Sequence, residues 1–449
     1  MDLSVLSIPL PEDLMKLKWN GQFELMKEMI DLRIQKDIPY QLKERLILEK
    51  NILDDLKKEF IYTKEEALEI LRNKISDFQD REFEDLFKEG AFEFLFIEGI
   101  MMFKYDFYDN LIKTRNAYAL RNKETITNDQ YQLLDQVITQ MKNEGELSYK
   151  IHVKTSLKIK EEYEKIGKTI RVWLPIPIEY AQVEDFKIIK TTPKATLIND
   201  SNYKHRCVYF EVTLQKGQEF SVEYEFINHS IYQELDPNIV TNEHPHEYLE
   251  EKAPHVVFSS YLKALTKEII GNEENPLLKA KKIYDYITSH VMYSFVRSYI
   301  TLPPIAEYAA TGMKGDCGIQ ATLFITMCRI AGIPARWQAG LYATPQTIGN
   351  HDWAQFYIAP YGWLYADCSF GGTAYRHQSS LRREFYFGHL EPFRIPCASE
   401  FQYELYPVKK FLRRDPYDNQ TGEVEYIDAY IPRDHYDMTL EIIDISKQE

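Results

Sequence analysis

Apolar residues in the first 140 positions recur at three- and four-residue spacing. Leu42, Leu46, Ile47, Ile52, Leu53 and Leu56 predict a helix through that stretch. Thr63-Lys64-Glu65-Glu66 predicts another helix start, in which the Thr oxygen accepts from a backbone N–H and Glu66 reaches back. Ala67, Ile70, Leu71 and Ile75 carry its stripe, and Phe92 to Phe103, apolar almost all round, predicts a helix deep in a bundle. Near Leu147 the period changes to two. Leu147, Tyr149, Ile151 and Val153 alternate with Ser148, Lys150, His152 and Lys154, and similar runs lie at 169–174, 207–214 and 220–226, which predicts a small antiparallel β-sandwich. From about residue 250 the two periods mix. Asn275-Pro276 opens a helix whose stripe is Ala280, Ile283, Tyr284, Ile287 and Val291. A second helix follows Cys317, carries Ile319, Leu323, Met327 and Ile330 on one face, and ends at Gly332-Ile333-Pro334. Strands are predicted at 335–342, 351–359 and 363–367, with further strands and loops in 376–449 and a hairpin turn at 418–422.

These changes divide 449 residues, too many for one core, into a helical bundle at 1–145, a β-sandwich at 146–235, a mixed α+β unit at 250–375 and a β-rich extension at 376–449. A net charge of −15 argues against a nucleic-acid partner, which requires clustered Lys and Arg. Five cysteines (207, 317, 328, 368 and 397) include no C-x-x-C pair, and residues 1–15 lack a basic-then-apolar signal pattern, so a reducing, cytoplasmic setting is expected. No run approaches the roughly 18 apolar residues of a membrane span, and no membrane partner is expected.

The chemistry gathers around Cys317. Placed at a helix start, its thiol meets unpaired N–H groups and a partial positive charge, both favouring the thiolate. Gly315 and Gly318 leave room for a tight turn and a substrate carbonyl, and the Cys317 N–H offers one oxyanion donor. Alternation puts His351, Trp353, Gln355 and Tyr357 on one face of a strand, with Asp352, Ala354, Phe356 and Ile358 on the other. Asp367, closing the next strand, could fix the tautomer of His351 or cap the following turn, 368–372. A tight turn at 360–362 leaves His351 and Asp367 out of direct register, so twist, a bulge or another turn must join them. Trp353 reads as packing that screens the site. A zinc site of Cys317, His351 and Cys368 lacks the short ligand spacing such sites display, and neither metal nor organic cofactor is expected.

Gly315-Asp316-Cys317-Gly318, Gly332-Ile333-Pro334-Ala335-Arg336, His351-Asp352-Trp353 and Tyr361-Gly362-Trp363 through Asp367 together resemble the transglutaminase-like superfamily, over roughly residues 250–375. Arg171-Val172-Trp173-Leu174-Pro175 resembles the β domain that often precedes this core in bacterial members. Phe387-Gly388-His389 and Pro392-Phe393-Arg394 resemble the segment that commonly follows it. The resemblance implies a multidomain α+β protein with a papain-like core, in which Cys317 is the nucleophile, His351 the general base and acid, and Asp367 the orienting carboxylate. Tyr293 is then the candidate second oxyanion donor, with Trp353 and Gln355 in the surrounding layer. Gln355 stands where many members carry an acid, and Cys368 where many carry proline. The implied reaction is amide acyl transfer on a peptide or protein, with hydrolysis favoured. Protein-glutamine transfer to an amine and a non-catalytic polypeptide-binding module are the alternatives.

Overall fold

The computed structural model describes residues 3–123, 130–180, 182–302 and 304–448. In the mixed α+β region a five-stranded antiparallel sheet has the spatial order Phe387–Gly388, Gly362–Ala366, Thr347–Ile358, Ala335–Thr344, Arg394–Ala398. The helix Cys317–Ile330 packs on one face of it and is buried at every residue from Gly318 to Arg329. Phe324 of the helix stands edge-on to Phe356 of the sheet, their ring centroids 5.5 Å apart. Helix Pro276–His290 begins as its sequence dictates, with the Asn275 side chain accepting from the N–H groups of Leu277 and Leu278. Beside it lie helices Ser260–Ile270, Ile305–Gly312 and Cys368–Arg376. Gly332, at φ +82°, supplies the left-handed residue that turns the chain out of the Cys317 helix.

Strand pairing in the sandwich reaches beyond 146–235. One sheet has the order Tyr436–Lys447, Glu146–Ile159, Glu219–Ile231, Val183–Thr192. The other has the order Ala429–Tyr430, Glu423–Tyr426, Thr169–Pro175, Cys207–Thr213, Leu197–Ile198. The C-terminal strands therefore complete this sandwich, and Arg394–Ala398 completes the five-stranded sheet, so 376–449 does not stand apart as an extension. The hairpin expected at 418–422 falls elsewhere: Tyr426 pairs with Ala429 around residues 427–428. Residues Asp418, Asn419 and Gln420 are instead buried, because their side chains are spent on the interior.

The N-terminal region is helical from Glu12–Trp19 to Gln130–Glu144, and Thr63 with Glu66 forms the expected capping box. It is not a pure bundle. Phe94–Ile97 and Ile100–Lys104 form a hairpin that Phe60–Thr63 extends to three strands. The continuous apolar run carries no period, so it is compatible with strand or helix. The Glu98-Gly99 pair decides, both residues having positive φ as a type I′ turn requires.

This region docks on the segment that leads to Cys317. The Glu59 carboxylate accepts from the Ser298 N–H at 3.1 and 3.2 Å, Asn110 accepts from Phe295 N–H at 2.8 Å, and Glu93 pairs with Arg297. Lys314 donates to the Gly90 carbonyl at 3.1 Å.

Candidate active site

Cys317 is the first residue of its helix and Asp316 is the N-cap, accepting from the Ile319 N–H at 3.0 Å and from the Tyr299 hydroxyl at 2.6 Å. Burial nevertheless pushes the Asp316 carboxyl up to about 6. The glycines on either side serve packing rather than substrate access. A Cβ on Gly315 would fall on the Ile319 side chain, and one on Gly318 would strike the Tyr299 hydroxyl and lie 2.8 Å from Asp352 Oδ2 and 2.9 Å from Trp337.

His351 and Asp367 meet across the sheet. Ala354 pairs with Ala366, which sets Asp367 one step beyond the last pair, level with Trp353 and on the same face as His351. The two-residue offset is thus a diagonal contact, within reach of these side chains. His351 Nε2 lies 2.7 Å from Asp367 Oδ2, so beside an ionised carboxylate Nε2 holds the proton and Nδ1 is the nitrogen left to act as base. Burial lowers the imidazole's affinity for a proton, and Asp367 partly restores it.

Asp367 makes both contacts that its position suggested. Oδ1 caps the helix Cys368–Arg376, accepting from the Phe370 N–H and the Ser369 hydroxyl at 3.0 Å each. Oδ2 takes His351 and also Arg394 Nη1 at 2.9 Å. Burial opposes its charge, yet His351, Arg394 and the cap N–H hold its carboxyl below the ordinary range.

Arg394 is a member of this network that motif reading quoted without giving it a role. Its guanidinium is fully enclosed, with Nε and Nη2 forking onto the Glu391 carboxylate at 3.0 and 3.1 Å while Nη1 reaches Asp367. The rings of Phe370, Tyr342 and Trp353 lie 4.6, 5.1 and 5.4 Å from it. Trp353 is fully buried between Arg394 and the His351 ring, whose centroid is 5.8 Å away, and donates its indole N–H to Gln338. Gln355 accepts from Arg336 Nε at 2.8 Å, away from the other three residues. Tyr293 pairs with Gly315, two residues before the thiol, and its hydroxyl lies 3.5 Å from Lys113 Nζ. Burial, reinforced by the charges of Cys317 and Asp316, keeps this phenol protonated and able to donate.

The thiol itself turns to a residue that the alternation placed on the opposite face of the strand and gave no role. Cys317 Sγ donates to Asp352 Oδ2 at 3.4 Å, and no hydrogen bond joins it to His351. The helix start was expected to favour the thiolate, but burial, Asp352 and Asp316 together push the thiol up. A helix terminus contributes about half a unit charge, and here two carboxyl groups oppose it.

These side chains can carry nucleophilic acyl chemistry: a thiol at a helix start, an imidazole held by a carboxylate, and a neutral phenol alongside. Residues 263–368 match the core model of the transglutaminase-like superfamily. An uncharacterized protein of Haemophilus influenzae is 24% identical over 240 residues, which span 45% of this chain and 63% of that relative's length. Among solved structures, a candidate cysteine protease from Cytophaga hutchinsonii aligns with a TM-score of 0.42 and 19% identity, over 68% of this chain and 98% of its own. The periplasmic domain of TgpA from Pseudomonas aeruginosa aligns with a TM-score of 0.30 and 14% identity, over 55% and 95% of the two chains. Residues 263–368 thus constitute a transglutaminase-like domain, set in a chain that also carries a helical region and a β-sandwich.

Proposed function

We propose that this protein is a cysteine-dependent amidase that hydrolyses peptide or protein amide bonds, with Cys317, His351 and Asp367 as its catalytic residues. The observation that carries this reading is the buried His351–Asp367 pair, tied by Arg394 and placed in the same transglutaminase-like domain as a cysteine at a helix start. The Cys317 proton passes to His351 Nδ1 as Sγ bonds to the amide carbon. The oxyanion is received by the Cys317 N–H, unpaired at its helix start, and by the Tyr293 hydroxyl. The imidazolium then protonates the departing amine, and water, deprotonated by His351, releases the acyl group. Asp367 holds Nε2–H throughout and offsets the charge that forms on the ring.

The chain's five cysteines are all unpaired, which supports a reducing compartment. No helix among the described residues is long and apolar enough to cross a membrane.

The test is release of new amino termini from a peptide library by wild type, Cys317→Ala and Asp367→Asn. Loss in both variants is expected, and full activity of Cys317→Ala would end the proposal. A labelled primary amine in the same reactions distinguishes the transferase: covalent capture of the amine in place of hydrolysis would reassign the acyl acceptor while leaving the nucleophile unchanged.

A further inference from the structure

Asp352 follows the candidate base in sequence but points to the opposite face of the strand, where it meets the nucleophile. Its Oδ2 accepts from Cys317 Sγ at 3.4 Å. Oδ1 is held by the side-chain amide of Gln420, which binds the His351 carbonyl at 3.2 Å as well. Gln420 belongs to the buried segment before strand Glu423–Tyr426, so the C-terminal part of the chain fixes this carboxyl in place. Gly318 makes the approach possible, since a Cβ there would lie 2.8 Å from Oδ2. Two separated stretches of sequence therefore serve one contact.

We propose that Asp352 is a positioning residue that holds Cys317 at rest as a neutral thiol directed away from His351. The inference rests on the reading of Cys317 as the nucleophile. A carboxylate at hydrogen-bond distance accepts the S–H and repels a thiolate, so the resting protein keeps its sulfur protonated even at a helix start. Entry into catalysis is a rotation of the thiol from Asp352 to His351 Nδ1, followed by transfer of the sulfur's proton to that nitrogen. No other atom changes hands.

The charges around Asp352 favour this state. Asp316 caps the helix beneath it, Asp415 and Asp418 approach from the C-terminal segment, and Asp367 lies beyond the strand. Lys113, contributed by the helical region, is near enough to Cys317 and Asp316 for each to favour its ammonium form. Burial and this surplus of acids raise the Asp352 carboxyl well above the ordinary range. The S–H bond acts against that rise and lifts the thiol in turn, which sets the carboxyl to ionise before the sulfur. The thiol then titrates against a negative neighbour, and removing that charge must move its titration down.

The test is the pH profile of Cys317 alkylation by iodoacetamide in the full chain, read by mass spectrometry, for wild type, Asp352→Asn, His351→Ala and the double variant. Asparagine keeps the shape, removes the charge and offers the thiolate an N–H. The expected result is a lower inflection in Asp352→Asn and a rate at pH 7 raised by about tenfold or more, the equivalent of one pKa unit. A folded Asp352→Asn whose inflection is unmoved or higher overturns the proposal, because a purely structural role would change melting temperature and leave the titration alone. Should the variant not fold, the infrared S–H stretch of wild type minus Cys317→Ala decides. A hydrogen-bonded S–H band at pH 7 supports the proposal, and absence of the band overturns it. His351→Ala is read separately: if it leaves the profile unchanged in both backgrounds, the proposed base fails while the Asp352 comparison stands.

Discussion

Replacing Arg394 by Met should destabilise the catalytic domain more than any other single change at the site. The guanidinium, Asp367 and Glu391 are all fully enclosed. With the arginine gone, two carboxyl groups remain in a box walled by Phe370, Tyr342 and Trp353. Breaking a buried ion pair from one side typically costs about 3–5 kcal/mol, because the remaining charge loses its partner but not its desolvation penalty. Asp367 is the less affected of the two, since it keeps His351, the Ser369 hydroxyl and the Phe370 N–H. Glu391 is the orphan: burial already raises its carboxyl, and without Arg394 only a backbone hydrogen bond of Glu391 itself opposes the rise. For a domain of this size the loss corresponds to a drop on the order of 10 °C in the calorimetric transition. The reasoning also specifies a rescue. Arg394→Met combined with Glu391→Met removes the orphan and fills the space with apolar volume, so at least half of the lost stability should return. A single-variant loss below about 1 kcal/mol, or a double variant as unstable as the sum of its parts, would refute the account of this network.

Three further substitutions probe the same region. Gly318→Ala should lose about 1–3 kcal/mol and all activity, because its Cβ strikes the Tyr299 hydroxyl and crowds Asp352, while Gly349→Ala, with nothing within 4 Å of its Cβ, should be close to neutral in thermal melts; equal effects would refute the packing role. Asp316→Asn keeps the cap oxygen that Ile319 needs and removes a buried charge. The folded carboxyl titrates at about 6 against roughly 3.9 unfolded, so its favourable contribution is complete below pH 4 and lost as pH rises through 6. The variant should therefore melt higher than wild type at pH 8 and equally at pH 4, and a shift of the same size at both would sink the assignment. Asp367 has the opposite sign: its depressed carboxyl stabilises the fold above about pH 4 and loses that contribution on acidification, so Asp367→Asn should be more costly to melting temperature at pH 7 than at pH 3.

Local pattern carried the elements well and their long-range partners poorly. The alternation around His351 assigned Asp352 to the opposite face, and that assignment holds in the sheet, where Ala339 is the Asp352 partner and Gly340 that of His351. What lies against that face is the start of a helix 35 residues earlier, and no spacing rule encodes such an encounter. Arg394 stands 27 residues beyond Asp367, in a segment recognisable by motif but silent about the direction of its guanidinium. The sandwich was legible in four strands, whereas Glu423–Tyr426 pairs with Thr169–Pro175 across some 250 residues of chain. The all-apolar run through Phe92 to Phe103 failed for a different reason: it has no period to read, and the Glu98-Gly99 turn signal within it had to outweigh its composition.

The helical region is fastened to the segment that precedes Cys317. Its contacts through Glu59, Glu93 and Asn110 converge on residues 294–298, and Lys314 binds back to Gly90. Tyr293 and Gly315, flanking those contacts, form a two-residue parallel ladder that ends one residue before the Asp316 cap. A displacement of the helical region would therefore pull on the phenol and on the helix start together, and with them on both proposed oxyanion donors. The C-terminal segment works from the other side, where Gln420 holds the Asp352 carboxyl that binds the thiol. Cys317, the proposed nucleophile, is thus gripped by two parts of the chain that lie outside the matched 263–368 core: one adjoins the donors the proposed reaction would use, the other the acceptor that holds the thiol. This division gives the flanking regions a physical reason to share a chain with the core, since the core alone would keep Cys317, His351 and Asp367 but lose Arg394, the Gln420 hold on Asp352, and the support of Tyr293.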